Sequence, residues 1–118
     1  MLVDTSVWID HFRADNPTLR RMLEDGTVAC HPVVIGELAC GNLRRRSDIL
    51  ELLHTLPSVS VARDTEVLTL IEQRRLMGRG LGWVDVHLLA SALLSDVPLW
   101  TLDRPLMRAA AAVGLAAG

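Results

Sequence analysis

Residues 1–10 of this chain read MLVDTSVWID, and this stretch decides the fold. An apolar run, Met1–Val3, ends in the carboxylate of Asp4, and a second apolar run begins at Val7. This order predicts a buried strand that ends at Asp4 and turns directly into a helix. Ligands of open parallel sheets bind outside the carboxyl ends of the strands, so Asp4 is a candidate functional residue. The alternative is that Asp4 only caps the helix that follows it.

Predicted helices and strands alternate along the rest of the chain. We expect helices at 6–13, 17–25, 32–40, 47–56, 64–77, 83–95 and 104–113, and strands at 27–30, 58–61 and 98–101. This alternation predicts an α/β layered fold with a mostly parallel sheet. The 118 residues are enough for one domain with a real core, which we expect to span 1–118.

Composition narrows the class of protein. No apolar stretch reaches the roughly 18 residues of a membrane span, and the N-terminus lacks the basic region of a signal peptide. We therefore expect no membrane association and a cytoplasmic location. Cys30 and Cys40 lie in apolar surroundings and are predicted to be buried free thiols. A zinc site formed with His31 is an alternative, but it lacks a fourth ligand.

The charge pattern is unusual for a nucleic-acid-binding protein. The formal net charge is −2, and all twelve basic residues are arginine. A planar guanidinium suits phosphate, although a solvated helix surface explains the same residues. The arginines cluster at 44–46 and at 74, 75 and 79.

Four acidic residues are predicted to meet at one edge of the sheet. Asp4 and Asp103 each follow a strand, whereas Glu37 and Asp85 lie in helices expected near the same edge. Carboxylates at such close range repel one another and are costly to bury, and a divalent cation would remove that cost. Oxygen ligands of this kind suit Mg²⁺ or Mn²⁺, which can activate water and neutralise charge on phosphate oxygens.

Each acid also has a simpler interpretation. Asp85 could serve the dipole of its helix, Asp103 could be a turn residue, and Glu37 could be an exposed helix residue. Residues predicted to support the site, by orienting a carboxylate, a water or the substrate, are Thr5, Ser6, Thr101, Arg79 and Trp83. Capping is the alternative role of the three hydroxyls, and Trp83 could stack on a base.

The chain resembles the PIN-domain ribonucleases, and among them the VapC toxins of bacterial type II toxin–antitoxin pairs. The resemblance covers essentially the whole chain, with the four acids in the family's order and approximate spacing. It is carried by MLVDTSVWID at 1–10, VIGELACG at 34–41, GWVDVHLLASALL at 82–94 and PLWTLDRPL at 98–106.

The resemblance implies a three-layer α/β/α sandwich with a parallel sheet of about five strands, the fifth a short one after Val113. It implies Mg²⁺- or Mn²⁺-dependent cleavage of RNA, with Asp4, Glu37, Asp85 and Asp103 as the catalytic acids. Asp4 and one of the other aspartates would contact the metal most directly. It also implies homodimerisation and inhibition by a cognate antitoxin. The apolar surface of the helices at 17–25 and 33–56 makes them candidates for the antitoxin and dimer contacts.

Other functions fit the sequence less well. A phosphoaspartate receiver domain needs a lysine, and a haloacid-dehalogenase-type phosphatase needs an aspartate where this chain has Ser6. The serious alternative is a catalytically inactive PIN-like module that binds RNA or a partner. Because all four acids are present, the ribonuclease is the favoured hypothesis.

Overall fold

A computed structural model describes residues 1–117, in which seven helices surround a small parallel sheet. The elements are β1 (Leu2–Val3), α1 (Thr5–Ala14), α2 (Pro17–Glu24), α3 (Pro32–Cys40), α4 (Arg46–Thr55), α5 (Asp64–Arg74), α6 (Trp83–Ser95), β2 (Leu99–Trp100) and α7 (Arg104–Ala112). The predicted α/β fold is confirmed. No helix in this part of the chain is long and apolar enough to cross a membrane.

Five short segments lie side by side in the sheet. β1 and β2 pair in parallel, with Leu2 opposite Leu99, and single parallel bridges extend the sheet on both sides. These bridges join Leu2 to Ala29, Cys30 to Ser58, and Leu99 to Ala116. Within residues 1–117, β1 and β2 pair over two residues, whereas the segment at 29–30 makes one bridge on each side and Ser58 and Ala116 make one bridge each. The short fifth strand predicted after Val113 corresponds to the bridge at Ala116, and Gly118 lies outside the described residues.

The spatial order of the segments places a topological switch between β1 and β2. The chain runs outward from β1 through the segments at 29–30 and 58, then returns to the other side of β1 as β2. Right-handed crossovers then place α1–α4 on one face and α5–α7 on the other, which gives three layers. A crevice opens at the carboxyl ends where the strand order reverses, directly after Val3 and Trp100.

A continuous apolar core holds the sheet between its helices. Residues of β1 and β2 pack against the buried faces of α1, α6 and α7. The largest fully buried side chains in these elements are Leu2, Trp8, Leu88, Leu89, Leu99 and Leu106. Burial of a leucine or isoleucine side chain contributes about 1.5–3 kcal/mol, so this core fixes how the two strand ends are held relative to each other.

Helix ends explain where the predicted boundaries were wrong. The helix predicted at 64–77 ends at Arg74, because Arg75 adopts a left-handed conformation with φ of 51°. The N–H of Leu76 then bonds back to the carbonyl of Ile71 at 3.0 Å, which closes the helix. The segment from Arg75 to Gly82 is therefore a loop that leads to the start of α6.

Candidate active site

Asp4 directly follows β1, and its side chain does not cap the helix that begins after it. It occupies the N-cap position of α1, yet its carboxylate accepts no capping hydrogen bond. Instead Oδ2 accepts hydrogen bonds from the hydroxyls of Ser6, at 2.7 Å, and Thr101, at 2.8 Å. Asp4 is only 6% exposed. The interpretation of Asp4 as a mere cap is therefore wrong for its side chain.

Thr101 joins the ends of β1 and β2. Its hydroxyl donates to Asp4 and accepts the N–H of Asp103 at 3.0 Å. Ser6 works in the same way, since its Oγ donates to Asp4 and accepts the N–H of Leu102 at 3.0 Å. Each hydroxyl proton is thus committed to Asp4, and the backbone after β2 holds both oxygens in place.

Glu37 reaches the same region from α3. The Thr5 hydroxyl donates to Glu37 Oε1 at 2.6 Å, so the first residue of α1 holds the side chain of a neighbouring helix. Glu37 is exposed, as its simpler interpretation expected. A solvated carboxylate held by a hydroxyl is positioned at low cost, because water still screens its charge.

Asp85 and Asp103 lie at the starts of α6 and α7. Asp85 Oδ2 accepts the N–H of Gly82 at 2.9 Å, and Asp103 Oδ2 accepts the N–H of Leu106 at 3.1 Å. The capping roles are therefore real, and each helix start fixes one carboxylate. Burial raises the pKa of Asp85 above its ordinary value, against the effect of the Gly82 N–H. The charges of Asp103 and Asp4 raise the pKa further, which places these three aspartates within electrostatic reach of one another.

The four carboxylates share one pattern of bonding. In residues 1–117 each uses one oxygen to accept hydrogen bonds from the protein and leaves its second oxygen without a protein donor. No arginine or histidine of this part forms an ion pair with any of them.

A divalent cation fits this donor set for two reasons. Each carboxylate keeps one oxygen without a protein donor, and no ion pair with an arginine or histidine of residues 1–117 compensates its charge. Carboxylate oxygens are also the hard ligands that such a cation prefers. The side chains do not converge on a closed metal cage. Within the described residues no three acidic, histidine or cysteine groups lie close enough to hold an ion by themselves. A metal bound here would keep water ligands, as Mg²⁺ commonly does.

Comparison with known proteins agrees with this geometry. The PIN domain family matches residues 1–112. The chain belongs to the PIN domain family. It is also 49% identical over 117 residues to proteins called Ribonuclease VapC32 from two strains of Mycobacterium tuberculosis, CDC 1551 / Oshkosh and ATCC 25618 / H37Rv. Each alignment covers 98% of this chain and 94% of the relative.

Arg79 and Trp83 flank the acidic edge of this PIN domain. Arg79 lies in the loop before α6, where it is exposed and borders a cleft against α7. Trp83 is the first residue of α6 and is 45% exposed, with its ring edge-on to His87 at 5.7 Å between centroids. Both side chains are therefore accessible to a ligand that approaches Asp85.

One residue near this edge of the PIN domain was not among the site residues predicted from the sequence. Arg108 of α7 borders the same cleft as Arg79 and is exposed. The signal that could have found it is the acid-free run from Arg104 to the C-terminus, which follows directly after Asp103.

The zinc alternative is wrong for this PIN domain. His31 is buried with both ring nitrogens engaged, since Nδ1 accepts the N–H of Val33 and Nε2 contacts the Ser91 hydroxyl, each at 3.0 Å. Cys30 is buried as predicted, but Cys40 is exposed, because it ends α3 at the protein surface. The imidazole therefore serves packing and capping.

Proposed function

We propose that this chain is a metal-dependent endoribonuclease and the toxin of a type II toxin–antitoxin module. The observation that carries the proposal is the set of four carboxylates with one oxygen bonded to protein and one open. The family and the 49% identity to proteins named as ribonucleases support RNA as the substrate. We also propose that residues 1–118 form a single PIN domain.

The proposed metal is Mg²⁺ or Mn²⁺, held by Asp4, Asp85 and Asp103. Such an ion supplies Lewis-acid stabilisation of a phosphate oxygen and lowers the pKa of a bound water. Asp4 is the best-oriented ligand, because two hydroxyls and burial hold it in one position. Its open Oδ1 would face the ion while Oδ2 stays bonded to Ser6 and Thr101.

Glu37 has a different role in the proposed reaction. Its Oε2 is free to accept a proton from the attacking water or to orient that water, while Thr5 holds Oε1. Hydrolysis then forms a P–O bond between the water oxygen and phosphorus, and the leaving oxygen departs with the electron pair of the broken P–O bond and takes up a proton from solvent water. Its solvent exposure lets Glu37 pass the proton of the attacking water to bulk water.

The decisive experiment is cleavage of total RNA by the purified protein. Cleavage is compared in Mg²⁺, in Mn²⁺ and in EDTA for the wild type, Asp4→Asn and Asp96→Asn. Asp96 is a suitable control because it is an exposed acid that precedes β2, at the end of the strand opposite to the acidic edge. Discrete fragments should need metal, disappear in Asp4→Asn and persist in Asp96→Asn.

Other results would change the assignment. Cleavage that persists in Asp4→Asn would contradict the proposed site or point to a contaminating nuclease. No cleavage together with no metal binding by calorimetry would favour the alternative, an inactive PIN-like module that binds RNA or a partner.

The proposed biological setting is the cytoplasm, where the chain would act as a homodimer until an antitoxin neutralises it. The α1–α4 side carries a cleft of about 800 Å³, with apolar walls that include Phe12, Leu43 and Ile49. This cleft adjoins the helices predicted to contact the antitoxin. Growth arrest on expression, relieved by a small reading frame immediately upstream of the gene, would support the module. Light scattering of the purified protein measures the oligomeric state.

A further inference from the structure

Charge is distributed unevenly around the acidic edge. The segments 73–84 and 104–118 contain no aspartate or glutamate, although the whole chain has fourteen acids against twelve arginines. Arginines in these two segments are Arg74, Arg75, Arg79, Arg104 and Arg108. Two basic segments therefore lie beside Asp85 and Asp103 in a chain whose net charge is −2.

The structure brings these two segments together into one cleft. The loop before α6 packs on α7, since a Cβ at Gly80 would lie 3.4 Å from Cγ of Pro105. The cleft has a volume of about 370 Å³. It is lined by Gly78, Arg79, Leu81, Pro105, Arg108 and Ala109. Apolar side chains and two guanidinium groups thus form one surface without an acid.

Arg79 and Arg108 have no acidic partner in the described part of the chain. Of the other ten arginines, three (Arg20, Arg45 and Arg63) pair with a nearby acid, so what distinguishes Arg79 and Arg108 is that they share one acid-free cleft. Two unpaired guanidinium groups in one cleft are suited to an anion that comes from outside, and each can hold two phosphate oxygens.

The two elements that wall the cleft also lead to the acidic edge along the chain. The loop ends at Gly82, whose N–H holds Asp85. On the other wall, Asp103 caps α7, and Arg108 follows it by five residues, about 7–8 Å along the helix axis. A strand whose phosphate lies at Asp85 and Asp103 can therefore continue between Arg79 and Arg108.

We propose that this cleft binds the backbone of single-stranded RNA next to the cleaved bond, with Arg79 and Arg108 holding its phosphates. The inference rests on the proposed ribonuclease function and adds the path of the substrate. Leu81, Pro105 and Ala109 offer an apolar surface to sugar or base. The other arginine cluster is less suited, because Arg45 pairs with Asp48 and Arg46 donates to the carbonyl of Ala39.

Binding is measured first, independently of cleavage. A fluorescein-labelled single-stranded RNA oligonucleotide is titrated in EDTA against the full chain, with salt varied at each step. The test variant is Arg79→Ala/Arg108→Ala. The control, Arg13→Ala/Arg21→Ala, removes the same charge from exposed positions near the C-terminal ends of α1 and α2.

The test variant should bind RNA about tenfold more weakly, because it loses two charge-assisted contacts. The slope of log K against log salt should become shallower by about 1.4, or about 0.7 for each lost phosphate contact. Arg79→Lys/Arg108→Lys should keep most of the slope, since the charge is retained. Equal affinity and slope in the test and control variants would overturn the proposal.

Cleavage then separates this inference from the function on which it rests. If the wild type cleaves RNA, the test variant should show a raised KM with little change in kcat. If the wild type binds RNA but never cleaves it, the proposed ribonuclease function is wrong, while the binding measurements still test the proposed cleft. An unchanged RNA affinity with lost binding of the antitoxin would assign the cleft to a protein partner and overturn the RNA assignment.

Discussion

Thr101 shows how one hydroxyl can organise a charged site. It is 4% exposed and bonds both to the carboxylate of Asp4 and to the backbone of Asp103. These two acids come from different strands, so a single side chain sets their relative position. The same hydroxyl also satisfies a lone pair of the buried Asp4 carboxylate.

Replacing Thr101 with valine keeps the shape of the side chain and removes both hydrogen bonds. We expect RNA cleavage to fall at least tenfold and the free energy of unfolding to fall by about 1–2 kcal/mol, because a buried carboxylate loses a donor. Thr101→Ser should keep most of the activity. Cleavage kinetics and urea unfolding of both variants measure the effect, and equal activity of Thr101→Val and wild type would contradict the positioning role.

His31 is a second buried polar residue, outside the acidic edge. It is 1% exposed and caps α3, while its Nε2–H donates to Ser91, which also accepts the N–H of Ala62. Burial, with a smaller effect from the charge of His87, lowers the pKa of His31 from 6.5 to about 4. The folded protein therefore holds this imidazole neutral.

This depressed pKa predicts a specific pH dependence of stability. Between pH 6.5 and about 4 the unfolded chain binds a proton at His31 that the folded chain does not. The contribution of His31 to the free energy of unfolding is thus fully present above pH 6.5. It is lost as the pH falls towards 4, and the loss is about 3 kcal/mol at most.

The free energy of unfolding, measured with urea at each pH from 4 to 7, should rise more steeply with pH for wild type than for His31→Asn. Asparagine keeps a capping oxygen without an imidazole. Nearby acids titrate in both proteins, so the difference between the two curves isolates His31. Parallel curves would show that folding does not lower the pKa of His31 and would contradict the prediction.

At the scale of elements, the loop before α6 is shaped by its glycines. Gly80 has φ of +78° and lies close to Pro105 of α7, so a side chain there meets both backbone strain and a neighbour. Gly36, within α3, has no atom within 4 Å of the position of a Cβ. The same chemical change should therefore have opposite effects at the two positions.

Gly80→Ala should lower the free energy of unfolding by about 1 kcal/mol, because alanine is disfavoured at positive φ. Gly36→Ala should raise it by about 0.5–1 kcal/mol through better helix propensity. Thermal or urea unfolding of the pair provides the measurement. Stabilisation by both substitutions would mean that the loop does not need its left-handed glycine.

The helix boundaries illustrate what local patterns can and cannot predict. Periodicity of apolar residues located every helix, because each one buries apolar side chains in the core. The end of α5 was missed by three residues, since nothing in Arg75 itself requires a left-handed conformation. The sheet segments at 29–30, 58 and 116 coincide with strands predicted at 27–30, at 58–61 and after Val113, although each pairs through isolated bridges.

At the scale of the whole molecule, the proposed metal site would couple metal binding to folding. Burial raises the pKa of Asp85, and the nearby charges of Asp103 and Asp4 raise it further, so a cation beside these carboxylates would favour their charged forms. A cation that binds only the folded protein stabilises it by about 2.7 kcal/mol at a concentration one hundred times its Kd. Stability should therefore depend on divalent metal.

Mg²⁺ or Mn²⁺ should raise the thermal midpoint of the wild type, and EDTA should reverse the rise. The rise should be much smaller in Asp4→Asn and unchanged in Asp96→Asn, which lies away from the acidic edge. Differential scanning calorimetry at fixed ionic strength measures the thermal midpoint of each protein with and without metal. The same rise in Asp4→Asn as in wild type would place the metal elsewhere.

The sequence by itself determined the alternation of helices and strands, the identity of the four acids and the hydroxyls beside them. These features are local, because a strand end, a cap or an apolar stripe is encoded within a few neighbouring residues. Tertiary structure alone decided that Thr101 binds Asp4, that Ser6 accepts the N–H of Leu102, that Thr5 binds Glu37, and that Arg108 shares a cleft with Arg79. Residues up to 97 positions apart form these contacts, and only packing of the helices around the sheet brings them within reach.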